Sequence, residues 1–228
     1  MRGFQAAGVV ATLLAVSATA NANLLANGSF ESPVIPATGF KDFPASGSPA
    51  ITNWTVSGPD PGVSIVSGTF SQNGVTFEAQ DGIQWLDLTG DGTNSNEGVS
   101  QSVTTIAGHV YQLTYFIGNT TGGSIFGTTS TVIVDVNGTP TYTDENSMTD
   151  ATALVWEQFT HTFTATSGTT TLGFFNDDPS SDNSNGLDNI VLLDEGPAPT
   201  GVPEPASLVL LGTALVGLGV IRRRRKTT

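Results

Sequence analysis

The groups in this sequence that could do chemistry are carboxylates and aromatic rings, because little else is present. Of 228 residues, 20 are Asp or Glu, two are His and none is Cys. Disulfides, thiolate metal sites and cysteine nucleophiles are therefore excluded. His109 opens a strand after a Gly turn, and His161 lies between Phe159 and Phe163, both positions of a structural kind. No G-x-S-x-G elbow, H-E-x-x-H helix or phosphate loop accompanies them. A glycosidase needs only two carboxylates across a cleft, yet no spacing here singles out a pair. The expectation is a protein that is not an enzyme.

Rings are the other resource. Saccharide recognition uses exposed aromatics that stack on the sugar face, with Asn, Asp or Gln bonding the hydroxyls. Trp54 and Trp85 sit in apolar strands and read as core. Phe126 and Tyr142 fall in Gly- and Thr-rich stretches and are expected to be exposed. Trp156 begins a strand after Leu154-Val155 and fits either role. Phe126, Tyr142 and Trp156 are thus the candidate ligand contacts. The acidic loops Asp87–Glu97 and Asp177–Gly186 lack the D-x-D-x-D-G-x5-E spacing of a calcium loop and read as solvated turns.

The charges are unevenly spread. Of seven basic residues, Arg2 lies near the start, Arg222, Arg223, Arg224, Arg225 and Lys226 near the end, and only Lys41 in between. Every acid except Glu204 lies in that middle stretch, giving it a net charge of about −18. Nucleic acid needs clustered Lys and Arg to meet its phosphates, so it is excluded as a partner. Cations or neutral polymers suit such a surface.

The elements that must position these groups are strands. Ile51–Val56, Gly82–Leu88, His109–Ile117, Thr131–Val136, Phe159–Phe163, Leu172–Phe175 and Leu187–Leu193 are short runs set between turn signals. Tyr111, Leu113, Tyr115 and Ile117 share a face at period two, as do Val132, Val134 and Val136 before an Asn137-Gly138 turn. In the Trp85 strand, Ile83 and Trp85 are expected on one face and Gln84 on the other. Many strands, Gly-rich turns and no helical period predict an all-β, antiparallel β-sandwich over residues 23–195.

Both ends read as sorting devices. Residues 1–22 form a signal peptide for the general secretory pathway. Arg2 comes first, then an apolar run from Val9 to Val16, then A-x-A exits at Ala18 to Ala22. Residues 196–205 form a Pro-rich linker, and 206–221 an apolar helix without a polar face. Sixteen residues span roughly 24 Å, short of a ~30 Å hydrocarbon core but tolerable with snorkelling arginines. The basic residues 222–228 would stay cytoplasmic, leaving the domain outside. Pro203-Glu204-Pro205, the apolar helix and Arg222, Arg223, Arg224 and Arg225 in that order resemble the PEP-CTERM sorting signal of Gram-negative bacteria. A glycolipid-anchor tail would not end in such a basic cluster. The resemblance implies transient membrane anchoring, cleavage by an exosortase, and delivery to a cell surface or matrix rich in exopolysaccharide, as in biofilm.

A second resemblance spans the domain. Its opening Leu25-Ala26-Asn27-Gly28-Ser29-Phe30-Glu31 has the pattern L-x-N-G-x-F-E. Then come Trp54 and Val56, Asp81-Gly82, Leu86-Asp87-Leu88, Gly98–Val103, Gly108–Tyr115 and Leu187-Asp188-Asn189-Ile190. In this order they are similar to the domain-of-unknown-function family 642, plant cell-wall proteins with bacterial relatives, and more distantly to carbohydrate-binding modules. The fold implied is a galactose-binding-like jelly roll. Plant members typically carry two such domains, and this chain has length for one. The resemblance also implies a structural calcium held by the Glu31 and Asp188 carboxylates and carbonyls near Gly28, a hard-oxygen set of the right kind. The alternative is that these two acids cap turns or bond to backbone. Function then divides among a binder or organiser of extracellular polysaccharide, a structural matrix protein without a sugar site, and a polysaccharide-processing enzyme.

Replacing Pro203-Glu204-Pro205 by three alanines should leave the tail attached and the protein in the membrane fraction. Unchanged processing of that variant, followed by its apparent mass on a gel, would remove the sorting assignment.

Overall fold

The computed structural model describes residues 22–48, 50–91, 96–179 and 184–199. The expected signal peptide, apolar helix and sorting residues lie outside them. Thirteen strands and no helix occur among the described residues. The strands are β1 (Phe40–Phe43), β2 (Thr55–Ser57), β3 (Val63–Ser67), β4 (Ser71–Gln72), β5 (Val75–Thr76), β6 (Gln84–Asp87) and β7 (Gly98–Thr104). They continue with β8 (His109–Asn119), β9 (Ser130–Val136), β10 (Thr139–Asn146), β11 (Val155–Thr164), β12 (Thr169–Asn176) and β13 (Gly186–Pro197). Two sheets form the sandwich, one ordered β1-β3-β6-β13-β8-β11 and the other β10-β9-β12-β7-β2, with β4-β5 a separate hairpin. All strand pairings are antiparallel. The fold is the expected all-β jelly-roll sandwich.

Alternation builds the core. Tyr111, Leu113, Tyr115 and Ile117 are all buried, and they meet Val132, Val134, Leu172 and Phe174 from the opposite sheet. The β9–β10 hairpin turns at Asn137 (φ 55°) and Gly138 (φ 76°), the left-handed pair that a two-residue turn of this hand requires. Phe159 and Phe163 pack on the core, and His161 between them stacks on Tyr142 at 3.9 Å and pairs with Asp144 at 2.7 Å. His109 likewise pairs with Asp194 at 2.9 Å, while Tyr111 donates its hydroxyl to the same carboxylate.

Two expectations differ from what forms. Only Thr55–Ser57 of the Ile51–Val56 run is strand. Ile51 and Trp54 are buried in a turn closed by the Trp54 amide on the Ile51 carbonyl, with Asn53 left-handed at φ 66°. Ile83 is 61% exposed, whereas Gln84 is buried beside Trp85. β6 is covered on both faces, so a strict inside–outside alternation does not hold there. Gln84 is accommodated by donating to the Phe30 and Pro33 carbonyls and accepting from the Ile35 amide.

The opening segment locks the sandwich. Asn23 donates to the Ile190 carbonyl and accepts from the Leu192 amide, at 2.9 Å each. Those contacts fall at a register shift in β13, where the chain bulges. Gln101 of β7, on the other sheet, accepts from the Ala26 amide (2.8 Å) and donates to the Ala26 carbonyl (2.9 Å). Asn27 holds the Ser32 and Thr52 carbonyls, and its own carbonyl accepts from the Trp54 indole. Gly28 lies so close to β13 that a Cβ would run into the Ile190 carbonyl oxygen.

Gly28→Ala should therefore cost about 3 kcal/mol, as other backbone clashes in a packed interior do, and lower the melting temperature by roughly 10 °C. Gly39→Ala, where a Cβ meets nothing within 4 Å, should melt like the parent. Equal melting of the two variants would refute the account of Gly28.

Candidate functional site

The register of the six-stranded sheet sets two neighbouring rows on its outer face. One row pairs Phe40 with Val66 and Val66 with Trp85. The next pairs Asp42 with Ser64, Ser64 with Asp87, Asp87 with Gly186, Gly186 with Gly118, and Gly118 with Trp156. An aromatic row thus runs beside a row that begins with carboxylates and ends in glycines. The Trp156 ring lies across Gly118 and Gly186, where Cβ atoms would come within 2.8 and 3.0 Å of it. Its indole N–H donates to the Glu78 carbonyl at 2.9 Å, and its ring meets Trp85 edge-on at 5.8 Å.

The β4–β5 hairpin covers this face. Its sequence Phe70-Ser71-Gln72-Asn73-Gly74-Val75-Thr76-Phe77 turns through Asn73 (φ 50°) and Gly74 (φ 83°). Phe70 and Phe77 stack on one another at 5.7 Å, Phe77 stacks on Trp85 at 6.1 Å, and Phe126 meets Phe77 edge-on at 5.1 Å. Val66, Val75, Phe77, Trp85, Phe126 and Leu154 make a second apolar cluster outside the main core. Aromatic pairs at such distances contribute about 0.5–1.5 kcal/mol each beyond burial, enough to hold a two-residue-stranded hairpin that would not stand alone.

Between hairpin and sheet lies a pocket of about 250 Å³. Phe40, Phe70, Phe77, Trp85 and Phe126 supply its apolar wall. Phe40 and Ile125, each 42% exposed, stand at its rim. Ser64, Gln72, Asp87 and Asp91 supply its polar groups. Ser64 donates to Asp42, one strand further out. Asp87 is 8% exposed, and its Oδ1 accepts the Thr89 amide (3.0 Å), the Thr89 hydroxyl (2.8 Å) and the Asn185 amide (3.1 Å). Burial outweighs these donors, and the Asp42 charge adds to it, so the Asp87 carboxyl is pushed up to about 7.

The three candidate ligand contacts divide. Phe126, expected to be exposed, is buried at 4%, and it reaches the pocket as part of the wall. Tyr142, expected in a loop, lies on β10, stacked on His161 and donating to the Thr162 carbonyl, away from the pocket. The short Gly- and Thr-rich context hid a strand whose inward positions pack on the core. Trp156 is half-buried beneath Glu78 and beside Trp85, next to the pocket but not on its lining. The sequence reading missed Phe40, Phe70, Phe77, Asp87 and Asp91. An Asn-Gly turn between two phenylalanines was the available signal for the hairpin. The loops read as solvated also differ at their ends: Asp87, Glu97, Asp178 and Asn185 are all buried. A polar loop is held there by a buried hydrogen-bond network, with Asn185 donating to the Thr131 carbonyl and to Asn176.

Glu31 and Asp188 converge on the turn at residues 80–84, whereas the Gly28 carbonyl accepts the Ile190 amide at 3.0 Å. Glu31 Oε1 accepts the Ile83 (2.8 Å) and Gln84 (3.0 Å) amides. Asp188 Oδ2 accepts the Gln80 (2.9 Å) and Asp81 (3.0 Å) amides, and its Oδ1 accepts Asn189 N–H at 2.7 Å. Gly82, at φ 71°, has no Cβ to strike the Glu31 carboxylate. Burial pushes the Asp188 carboxyl up to about 8 despite three amide donors. Among the described residues no cluster of three or more acidic or His side chains could hold a metal ion. In this structure Glu31 Oε1 and both Asp188 oxygens cap backbone amides.

Comparison with known proteins places this architecture. A solved structure of a Stig cyclase, Fisc from Fischerella sp. TAU, is 17% identical with a TM-score of 0.57, over 77% of this chain and 98% of that one. The module TmCBM61, solved in complex with beta-1,4-galactotriose, is 17% identical with a TM-score of 0.47, over 76% of this chain and 99% of that one. Halomucin of Haloquadratum walsbyi is 32% identical over 207 residues, covering 86% of this chain. The chain spans about 2% of the length of that curated relative. The PEP-CTERM protein-sorting motif matches residues 201–226. The model of the protein family of unknown function DUF642 matches residues 23–192, from the opening asparagine through the last core strand, and the chain belongs to that family.

Proposed function

We propose that this chain is an exported, non-catalytic surface or matrix protein that binds or organises extracellular polysaccharide, and that the saccharide docks in the pocket between the β4–β5 hairpin and the sheet. The observation that carries the reading is one cavity of about 250 Å³ with aromatic walls and a polar side. Rings present an apolar face to the C–H side of a sugar, while Ser64, Gln72 and Asp91 can bond its hydroxyls. Exposed Phe40 at the rim leaves the mouth open to a polymer. The sorting motif at residues 201–226 supports export and exosortase processing, with the apolar segment 206–221 as a transient membrane anchor.

One observation favours a second reading, catalysis. A carboxyl raised to about 7 in a pocket is in the range of a general acid, and Asp91 lines the same cavity. Release of reducing ends from the retained polymer would establish hydrolysis and remove the non-catalytic reading.

Incubating the full chain with the producing organism's own extracellular polysaccharide, with calcium or with chelator, tests the proposal. Saturable retention should occur, and Phe40→Ala, at a rim position where the ring meets Phe70 edge-on at 5.7 Å, should weaken it roughly tenfold while lowering the melt by only about 2–4 °C. Retention that ignores Phe40→Ala would move the site elsewhere, and no retention would leave a structural matrix protein without a sugar site. The melt should not move with chelator, because amides already take Glu31 Oε1 and both Asp188 oxygens. A melt that rises with calcium would restore the structural ion.

A further inference from the structure

The same pocket has an electrostatic character that a neutral sugar would not use. Asp42 and Asp87 lie two strands apart on one row, about 10 Å between backbones, with only Ser64 between them. Asp91 lines the cavity from the following loop. All three hydrogen bonds to Asp87 fall on Oδ1. Oδ2 accepts no hydrogen bond among the described residues, and Asp87, 8% exposed, borders the cavity. Among the described residues no basic side chain lines the pocket. Lys41, the one lysine between the two ends of the chain, places its ammonium 5.6 Å over the Phe43 ring. The aromatic row runs beside these acids on the same face, and rings attract a cation through their negative faces while displacing its water.

We infer that the pocket selects a sugar bearing a positively charged amino group, with the ammonium seated between the aromatic wall and Asp87 Oδ2. This rests on the saccharide reading above and names the class of sugar. An ammonium there supplies the counter-charge that Asp42, Asp87 and Asp91 lack, and its N–H groups fill the open acceptor. The hydroxyls remain for Ser64 and Gln72. Selectivity follows from what an N-acetyl group would do at the same place: it carries no charge, and it leaves Asp87 Oδ2 facing an amide or a methyl group.

The test compares a glucosamine trisaccharide with its N-acetylated counterpart, at near-neutral pH, on the full chain in a non-ionic detergent without a sugar headgroup. Calorimetry, or Trp85 fluorescence, reads the affinity. The free amine should bind about tenfold tighter, and Asp87→Asn should abolish that preference. Asparagine keeps an oxygen for the Thr89 and Asn185 amides, and an unchanged melt confirms that the fold is intact. Asp42→Asn, at the sheet edge, should reduce the preference in part. Equal or tighter binding of the N-acetylated sugar overturns the inference. So does a preference that survives Asp87→Asn, which would be attraction to the overall negative charge. If neutral saccharides bind in a Phe40-dependent way, the polysaccharide reading stands and only the cation fails. If neither sugar binds, and the native polymer is not retained, both fail.

Discussion

The constraint on which this structure depends is the stitching of residues 23–31 into both sheets at once. A sandwich held only by apolar contact between faces can slide, since burial is non-directional. Here Asn23 and Gly28 fix the segment to β13, Gln101 fixes it to β7, and Glu31 carries it to the turn that starts β6. Apart from the backbone bond at Gly28, each contact joins a side-chain amide or carboxylate to backbone, so each specifies register as well as adding roughly 1 kcal/mol. A chain with no cysteine and a strongly negative domain has few other ways to bind its two layers. The motif L-x-N-G-x-F-E is the sequence form of that stitch: asparagine to bridge carbonyls, glycine to approach β13, phenylalanine to anchor, glutamate to gather amides.

The position of β6 follows from the stitch, and the pocket follows from β6. With Glu31 holding the Ile83 and Gln84 amides, the strand enters with Trp85 and Asp87 outward and Leu86 inward. Outward Trp85 needs cover, which the Phe70–Phe77 hairpin and Phe126 supply. Outward Asp87 has no such cover over its second oxygen. The neighbouring strands carry glycine at 118 and 186, so Trp156 can lie flat beside Trp85 and close one side of the cluster. A second apolar cluster outside the main core thus comes from the same register that aligns the acids, and apolar wall and carboxylates become neighbours by geometry.

The parts legible in the sequence were those where one periodicity dominates. Tyr111 to Ile117 and Val132 to Val136 alternate cleanly because each strand has one wet face, and the sandwich could be read from them. β6 was misread at Ile83 because both of its faces are buried, which erases the alternation that pattern reading relies on. Phe126 and Tyr142 were placed by the polarity of their neighbours, whereas burial is decided by what another part of the chain brings over them. Phe77 covers the one, and His161 stacks on the other. Asp87 was assigned to a solvated loop for the same reason. Its burial depends on Asn185, nearly a hundred residues away, and no local window contains that information.

Electrostatics explains why a chain so rich in acids still buries several of them. Asp188 is buried because amides from Gln80, Asp81 and Asn189 replace its water, the first two coming from the turn that the stitch positions. Asp87 is buried with donors on one oxygen only. The difference separates a carboxylate whose two oxygens both hold backbone from one whose second oxygen makes no bond to the described residues. Burying an acid is costly, and the usual relief is protonation: burial pushes Asp188 up to about 8 and Asp87 up to about 7. A ligand that brings its own charge relieves the same cost without a proton. Structure and occupancy of the pocket are then two sides of one balance: the aromatic cover that stabilises the hairpin also lowers the local dielectric, and that lowering is what makes an incoming cation worth more there than anywhere on the open acidic surface.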